Sequence, residues 1–109
     1  FVREQVRLAG LFEELIAEHE GFEICAARRL GLVCFRYLGS DEENRELLEL
    51  INSDGEIFLT HTVIPDGESE RYVLRFATGT ISTTAEHVLR AWEIIQSQAS
   101  RLGAAAGEN

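Results

Sequence analysis

Among the residues able to do chemistry, Arg75 holds the most informative position. It lies inside the apolar run Tyr72-Val73-Leu74-Arg75-Phe76-Ala77, opposite in parity to Tyr72, Leu74 and Phe76. A β-strand here turns the guanidinium to the face those three side chains avoid. Holding that charge within a sheet costs desolvation energy unless a carboxylate meets it. An internal ion pair, or a place at the sheet margin where the side chain reaches solvent, would satisfy it structurally.

Other reactive residues form no constellation. His19 falls at a helix end and His87 at a helix start, both as surface positions. His61 sits within a β-prone run, with no Cys, Asp or Glu at ligand spacing beside it. Cys25 and Cys34 occupy separate apolar segments with no second pair at zinc spacing, and read as reduced, buried small hydrophobes of a cytosolic protein. A disulfide between them is the lesser alternative. No sharp-turn signature presents a serine or cysteine nucleophile. Gly79-Thr80 stands between a strand and a helix, where phosphates can bind, but without G-x-G-x-x-G spacing it reads as a turn. Glu42, Glu43, Glu46 and Glu49 make a solvated helix face rather than a catalytic pair.

Absences narrow the chemistry further. All ten basic residues are arginines, so no side chain supplies the primary amine of a Schiff base. A net charge of −9 disfavours nucleic acid and anionic membrane surfaces as partners. No apolar run approaches the ~20 residues of a membrane span, and no signal-peptide pattern opens the chain. The 109 residues begin at Phe1 and hold no methionine, which leads us to expect a piece of a larger protein.

The elements that must position these residues emerge from periodicity. Apolar positions from Val2 to Ile16 recur at helical steps, and Gly21 stops that helix. Phe22 to Cys25 alternates as a strand. The polar link Ala26-Ala27-Arg28-Arg29 leads to a strand over Gly31 to Leu38, apolar on both faces and therefore expected to be covered on both. Ser40-Asp41-Glu42-Glu43 has capping-box spacing before a helix that Asn52-Ser53-Asp54-Gly55 ends. Ile57 to Ile64 and Tyr72 to Ala77 predict a hairpin turning through residues 65–70. Thr83 with Glu86 forms a second capping box before a helix carrying Val88, Trp92, Ile95, Ala99 and Leu102, and residues 103–109 read as a flexible tail.

The predicted order is α-β-β-α-β-β-α, an α/β lobe of the α+β two-layer kind. A small antiparallel sheet of three or four strands carries helices on one face. Its other face, with Leu32, Cys34 and Phe58 or their opposites, then needs cover from a missing partner domain.

Several blocks carry a resemblance. Phe22-Glu23-Ile24-Cys25, Leu30-Gly31-Leu32-Val33-Cys34-Phe35-Arg36, Leu50-Ile51-Asn52-Ser53, Tyr72-Val73-Leu74-Arg75-Phe76-Ala77 and His87-Val88-Leu89-Arg90-Ala91-Trp92 run in order through nearly the whole chain. Together they resemble the C-terminal domain of the pyridoxal-phosphate-dependent aromatic-L-amino-acid decarboxylases (the group II decarboxylases). The resemblance implies the small domain of an aspartate-aminotransferase-like, fold type I enzyme, over residues 1–102. It implies a cytoplasmic homodimer that converts an aromatic L-amino acid to its amine and CO2. The cofactor, pyridoxal 5′-phosphate, would sit on a lysine of an upstream large-domain segment, and catalytic residues would lie outside this chain. Arg75 matches an arginine of the related glutamate decarboxylases implicated in binding a substrate carboxylate, with an interdomain ion pair as the alternative. Glutamate or histidine decarboxylases and aldehyde synthases are the rivals within the family. Outside it, the rival is a stand-alone interaction or ligand-binding module.

Overall fold

The computed structural model describes residues 2–25, 31–77 and 84–108. They form α1 (Val2–Ala17), β1 (Phe22–Ile24), β2 (Leu32–Tyr37), α2 (Asp41–Asp54), β3 (Thr60–Asp66), β4 (Ser69–Ala77) and α3 (Ala85–Glu108). This is the expected order, an α+β lobe whose strands pair antiparallel throughout in the spatial order β1-β2-β4-β3. The 26–29 link between β1 and β2 lies outside the described residues.

Local chemistry sets the helix limits. Ser40 Oγ accepts from the Glu43 N–H at 3.0 Å while the Ser40 N–H donates to Glu43 Oε1 at 2.9 Å, the reciprocal pair the spacing predicted. Gly55 ends α2 at φ +82°, a conformation that a Cβ would oppose. The cap of α3 falls one residue later than expected. Thr83 lies outside the described residues; Ala85 is the first helical residue, so the cap is Thr84 and the third position is His87. Thr84 Oγ1 accepts from the His87 N–H at 3.3 Å, and the Thr84 N–H donates to His87 Nδ1 at 3.2 Å, an imidazole taking the place of the usual carboxylate. Helical backbone continues to Glu108, past residue 102 where the sequence pattern closes the lobe.

The hairpin also shifts, for a visible reason. Asn52 on α2 uses Oδ1 to accept from the Leu59 N–H at 2.8 Å and Nδ2 to donate to Leu59 O at 3.0 Å. Leu59 therefore spends its main-chain groups on a side chain, and the ladder begins at Thr60 rather than Ile57. At the far end both strands run on through Pro65 and Glu70, and the turn tightens to Gly67-Glu68, with Gly67 at φ +68°.

All three helices cover one face of the sheet. Phe12 of α1 is fully buried against Phe35 of β2, Phe76 of β4 and Trp92 of α3, with ring centroids 5.5, 4.3 and 6.2 Å away. Val33, Phe35, Tyr72, Leu74 and Phe76 join the same core. The alternate positions of β2 and β4 look the other way, onto a face that no helix covers among the described residues.

Candidate functional site

The open face of the sheet carries the lobe's chemistry. Register places Arg75 of the central strand β4 between Cys34 of β2 and Thr60 of β3. Its neighbours Leu74 and Phe76 are buried on the helical side, so its guanidinium stands on the open face, as parity required, and the residue is half-buried. Among the described residues no carboxylate lies within ion-pairing distance of it, so the internal ion pair left open by the sequence is not made there.

A neighbouring arginine makes such a pair instead. Arg36 of β2 is 5% exposed. It donates to Asp41 Oδ1 at 3.0 Å, to Gly39 O at 2.7 Å and to Tyr72 O at 3.2 Å. Asp41 Oδ1 also accepts from the Tyr72 N–H at 3.2 Å. That main-chain bond, reinforced by the Arg36 guanidinium, holds the Asp41 carboxyl below its usual range. Glu23 of β1 bonds the Arg71 guanidinium and lies 4.0 Å from Arg36. The cations flanking Arg75 on this face are thus neutralised within the lobe, leaving Arg75 half-buried and without an acid among the described residues. An unneutralised guanidinium on a rigid strand is suited to a carboxylate brought from outside, which it can grip in two places.

The row through Arg75 holds both thiols. One residue beyond the paired stretch of β1, the Cys25 N–H donates to Cys34 O at 3.0 Å, so Cys25, Cys34, Arg75 and Thr60 succeed one another across the four strands. Both cysteines are free and half-buried. Burial, with the Glu23 charge adding to it, pushes the Cys25 thiol up to about 11, against the opposing pull of Arg71 and Arg36. They are less buried than the small hydrophobes expected. On the open face Leu32 and Cys34 are half-buried, and the 73%-exposed Phe58 lies outside β3.

Each histidine has a structural engagement. His61 is exposed and stacks on the Tyr72 ring at 4.7 Å, while the Arg45 guanidinium lies 5.0 Å from that ring's centroid. His19 accepts the Gly21 N–H on Nδ1 at 2.9 Å and meets Phe22 and Trp92 edge-on. His87 belongs to the α3 cap. Among the described residues no group of three or more His, Cys, Asp and Glu could hold a metal ion. Glu42, Glu46 and Glu49 are exposed, Glu43 serves the α2 cap, and Gly79 and Thr80 lie outside the described residues. Arg36, Asn44 and Asn52 were not singled out by sequence. An arginine in an apolar strand followed by an acidic helix start was a usable signal for Arg36; the asparagines carried none.

No family model matches the chain. It is 44% identical over 108 residues to tyrosine decarboxylase 2 of Arabidopsis thaliana, an alignment covering 93% of this chain and 19% of the relative. It is likewise 44% identical over 108 residues to the aromatic-L-amino-acid decarboxylase of Bos taurus, covering 99% of this chain and 21% of that one. The fold is similar to the crystal structure of Oryza sativa TDC with PLP and tryptamine, with a TM-score of 0.84 and 36% identity over 93% of this chain and 23% of that one. The chain spans about a fifth of the length of the curated relatives it matches.

Proposed function

We propose, on the premise that this chain is a C-terminal segment of the group II aromatic amino-acid decarboxylase type, that it is the small lobe of an enzyme releasing CO2 from an aromatic L-amino acid to leave the amine. The observation that carries this reading is similarity in both sequence and fold over more than nine-tenths of the chain. Residues 1–102 are assigned to that lobe and 103–109 to its tail. The parent acts as a cytoplasmic homodimer in which an upstream large-domain segment meets the open face of the sheet.

Pyridoxal 5′-phosphate supplies the electron sink for such a reaction. The chain has no lysine, so its own residues do not fit the role of anchoring that cofactor. That role is assigned to the rest of the parent. What this lobe contributes is closure and exclusion of water from the cleft, together with the Arg75 guanidinium as the ligand of a substrate carboxylate. The absence of any acid beside Arg75 among the described residues supports that assignment.

The test is kinetic and uses the full-length parent. Purified with its cofactor, it should release CO2 and amine in equal amounts from an aromatic L-amino acid. An aldehyde product would mark the synthase branch, and activity on glutamate or histidine alone would move the substrate class. Arg75→Ala should lower kcat/KM roughly 10- to 100-fold, the value of about 1.5–3 kcal/mol for a charge-assisted hydrogen bond. Wild-type kinetics in that variant would leave Arg75 a structural residue. An inactive parent that holds no cofactor would sink the decarboxylase reading, and a lobe soluble as a monomer without any other segment would favour a stand-alone module.

A further inference from the structure

We infer that the flank of the helical layer holds a binding pocket for a small uncharged aromatic ring bearing a hydroxyl or a ring N–H, of phenol or indole size. Such a site needs no particular reaction of the parent. A cavity of about 340 Å³ opens where the end of α1, the start of β1, the end of β2 and the middle of α3 meet, and His19, Phe22, Tyr37, Gln96 and Ser100 stand in its wall. Cavities that hold small ligands begin at roughly 300 Å³. This one lies on the helical side of the sheet, where Phe22 packs against Phe35 and Trp92. It is therefore turned away from the sheet face assigned to the upstream segment, and on that assignment it stays at the surface of the parent.

Its wall offers rings at one level and unspent polar groups at another. The Phe22 ring meets His19 at 5.3 Å and 76°, and Tyr37 at 5.6 Å and 67°, both edge-on. A further ring set into the cavity extends that edge-to-face pattern, which the charge distribution of aromatic rings favours. Nδ1 of His19 accepts the Gly21 N–H, so the proton of the neutral imidazole sits on Nε2 as a donor. The Tyr37 hydroxyl, the Gln96 carboxamide and the Ser100 hydroxyl bond to no protein group among the described residues. Each of these three can donate or accept, so an entering hydroxyl or ring N–H finds a partner of either kind. Gln96 is half-buried, which sets its amide back from open water. Apart from the neutral His19, no ionisable acid or base with a full charge lines the cavity among the described residues, and Glu18 and Glu20 stand exposed on either side of His19 in the chain. A carboxylate would lose water there without gaining a counter-ion. The part of the ligand that enters is accordingly the uncharged ring.

Two fluorinated probes, 4-fluorophenol and 5-fluoroindole, titrated into the native full-length parent and followed by fluorine NMR, test the site. Ser100→Trp, at an exposed position of α3, fills the mouth of the cavity, and Gln96→Leu removes the half-buried amide while keeping its bulk. The expected result is saturable binding of both probes to the wild type, loss of that component in Ser100→Trp, and binding roughly fivefold weaker in Gln96→Leu, the value of one hydrogen bond. Cyclohexanol, which matches phenol in size and hydroxyl but is not aromatic, should leave the bound 4-fluorophenol in place at equal concentration. Any binding in the catalytic cleft of the parent is common to the wild type and both variants and drops out of the difference. Titration curves that coincide in the wild type and Ser100→Trp overturn the pocket. Wild-type affinity in Gln96→Leu overturns the polar recognition, and displacement by cyclohexanol overturns the preference for an aromatic ring.

Discussion

At the scale of single residues, the lobe treats its two inner arginines in opposite ways. Arg36 donates three hydrogen bonds, one of them to Asp41, and removing that acid would leave a buried charge with only Glu23, 4.0 Å away, as its counter-ion. Arg75 sits on the same face of the sheet with no acid beside it among the described residues. Parity alone revealed where Arg75 points, because a single strand fixes which face each side chain takes. Arg36 was less legible: its pairing with Asp41 depends on the chain reversing through Gly39 and Ser40, which periodicity does not describe. The depressed Asp41 carboxyl sets a pH test. A group whose folded pKa lies below its unfolded value stabilises the fold above the unfolded value, near 3.8 for an aspartate, and loses that contribution as pH falls through the folded value. Acid titration of Tm in the full-length parent should therefore show a slope below about pH 4 that Asp41→Asn reduces. An unchanged slope in that variant would assign acid sensitivity to other carboxylates.

At the scale of elements, α2 is a clamp as well as a layer of the core. Asn44, fully buried, accepts the Tyr37 N–H at 2.8 Å and donates to Tyr37 O and Ser40 O at 3.0 Å each. Two turns on, Asn52 holds Leu59 in the same two-handed way. One helix thus ties down the end of β2 and the approach to β3, the strands next to β4 on either side. Asn44→Ala would leave the main-chain groups of Tyr37 without those partners and should cost about 2–3 kcal/mol, read as a lowered urea midpoint at constant slope. A midpoint unchanged by the substitution would mean water replaces the amide fully. The helix, its capping box and its glycine stop were all readable, since each rests on residues three or four apart. The late start of β3 was not. Ile57-Phe58-Leu59 is as strand-like in composition as Thr60 to Ile64, and only the distant Asn52 decides that Leu59 leaves the ladder.

At the scale of the whole molecule, three helices shield one side of the sheet and the other side presents Arg75, two thiols and a set of neutralised charges. The order of elements and the one-sided layering were legible because turn residues and apolar periods alternate cleanly. The ion pairs of Glu23, Arg36 and Arg71 were not legible from the apolar pattern, which marked Leu32, Cys34 and Phe58 for cover; they occupy the same face as Leu32 and Cys34. Phe58, 73% exposed, probes what the rest of the parent does here. If the upstream segment covers it, Phe58→Ser in the full-length parent should lose up to about 1.5–3 kcal/mol of burial and lower Tm by about 1–3 °C. No change in Tm would leave that edge facing water. The strand order has a further consequence for how the lobe comes into being. β4 lies between β2 and β3 and is synthesised after both. Its turn with β3 closes locally, but its ladder with β2 joins distant parts of the chain, the kind of contact that slows folding. Arg75 and Cys34 become neighbours only when that ladder zips, so the open face acquires its chemistry in the same late event that completes the sheet.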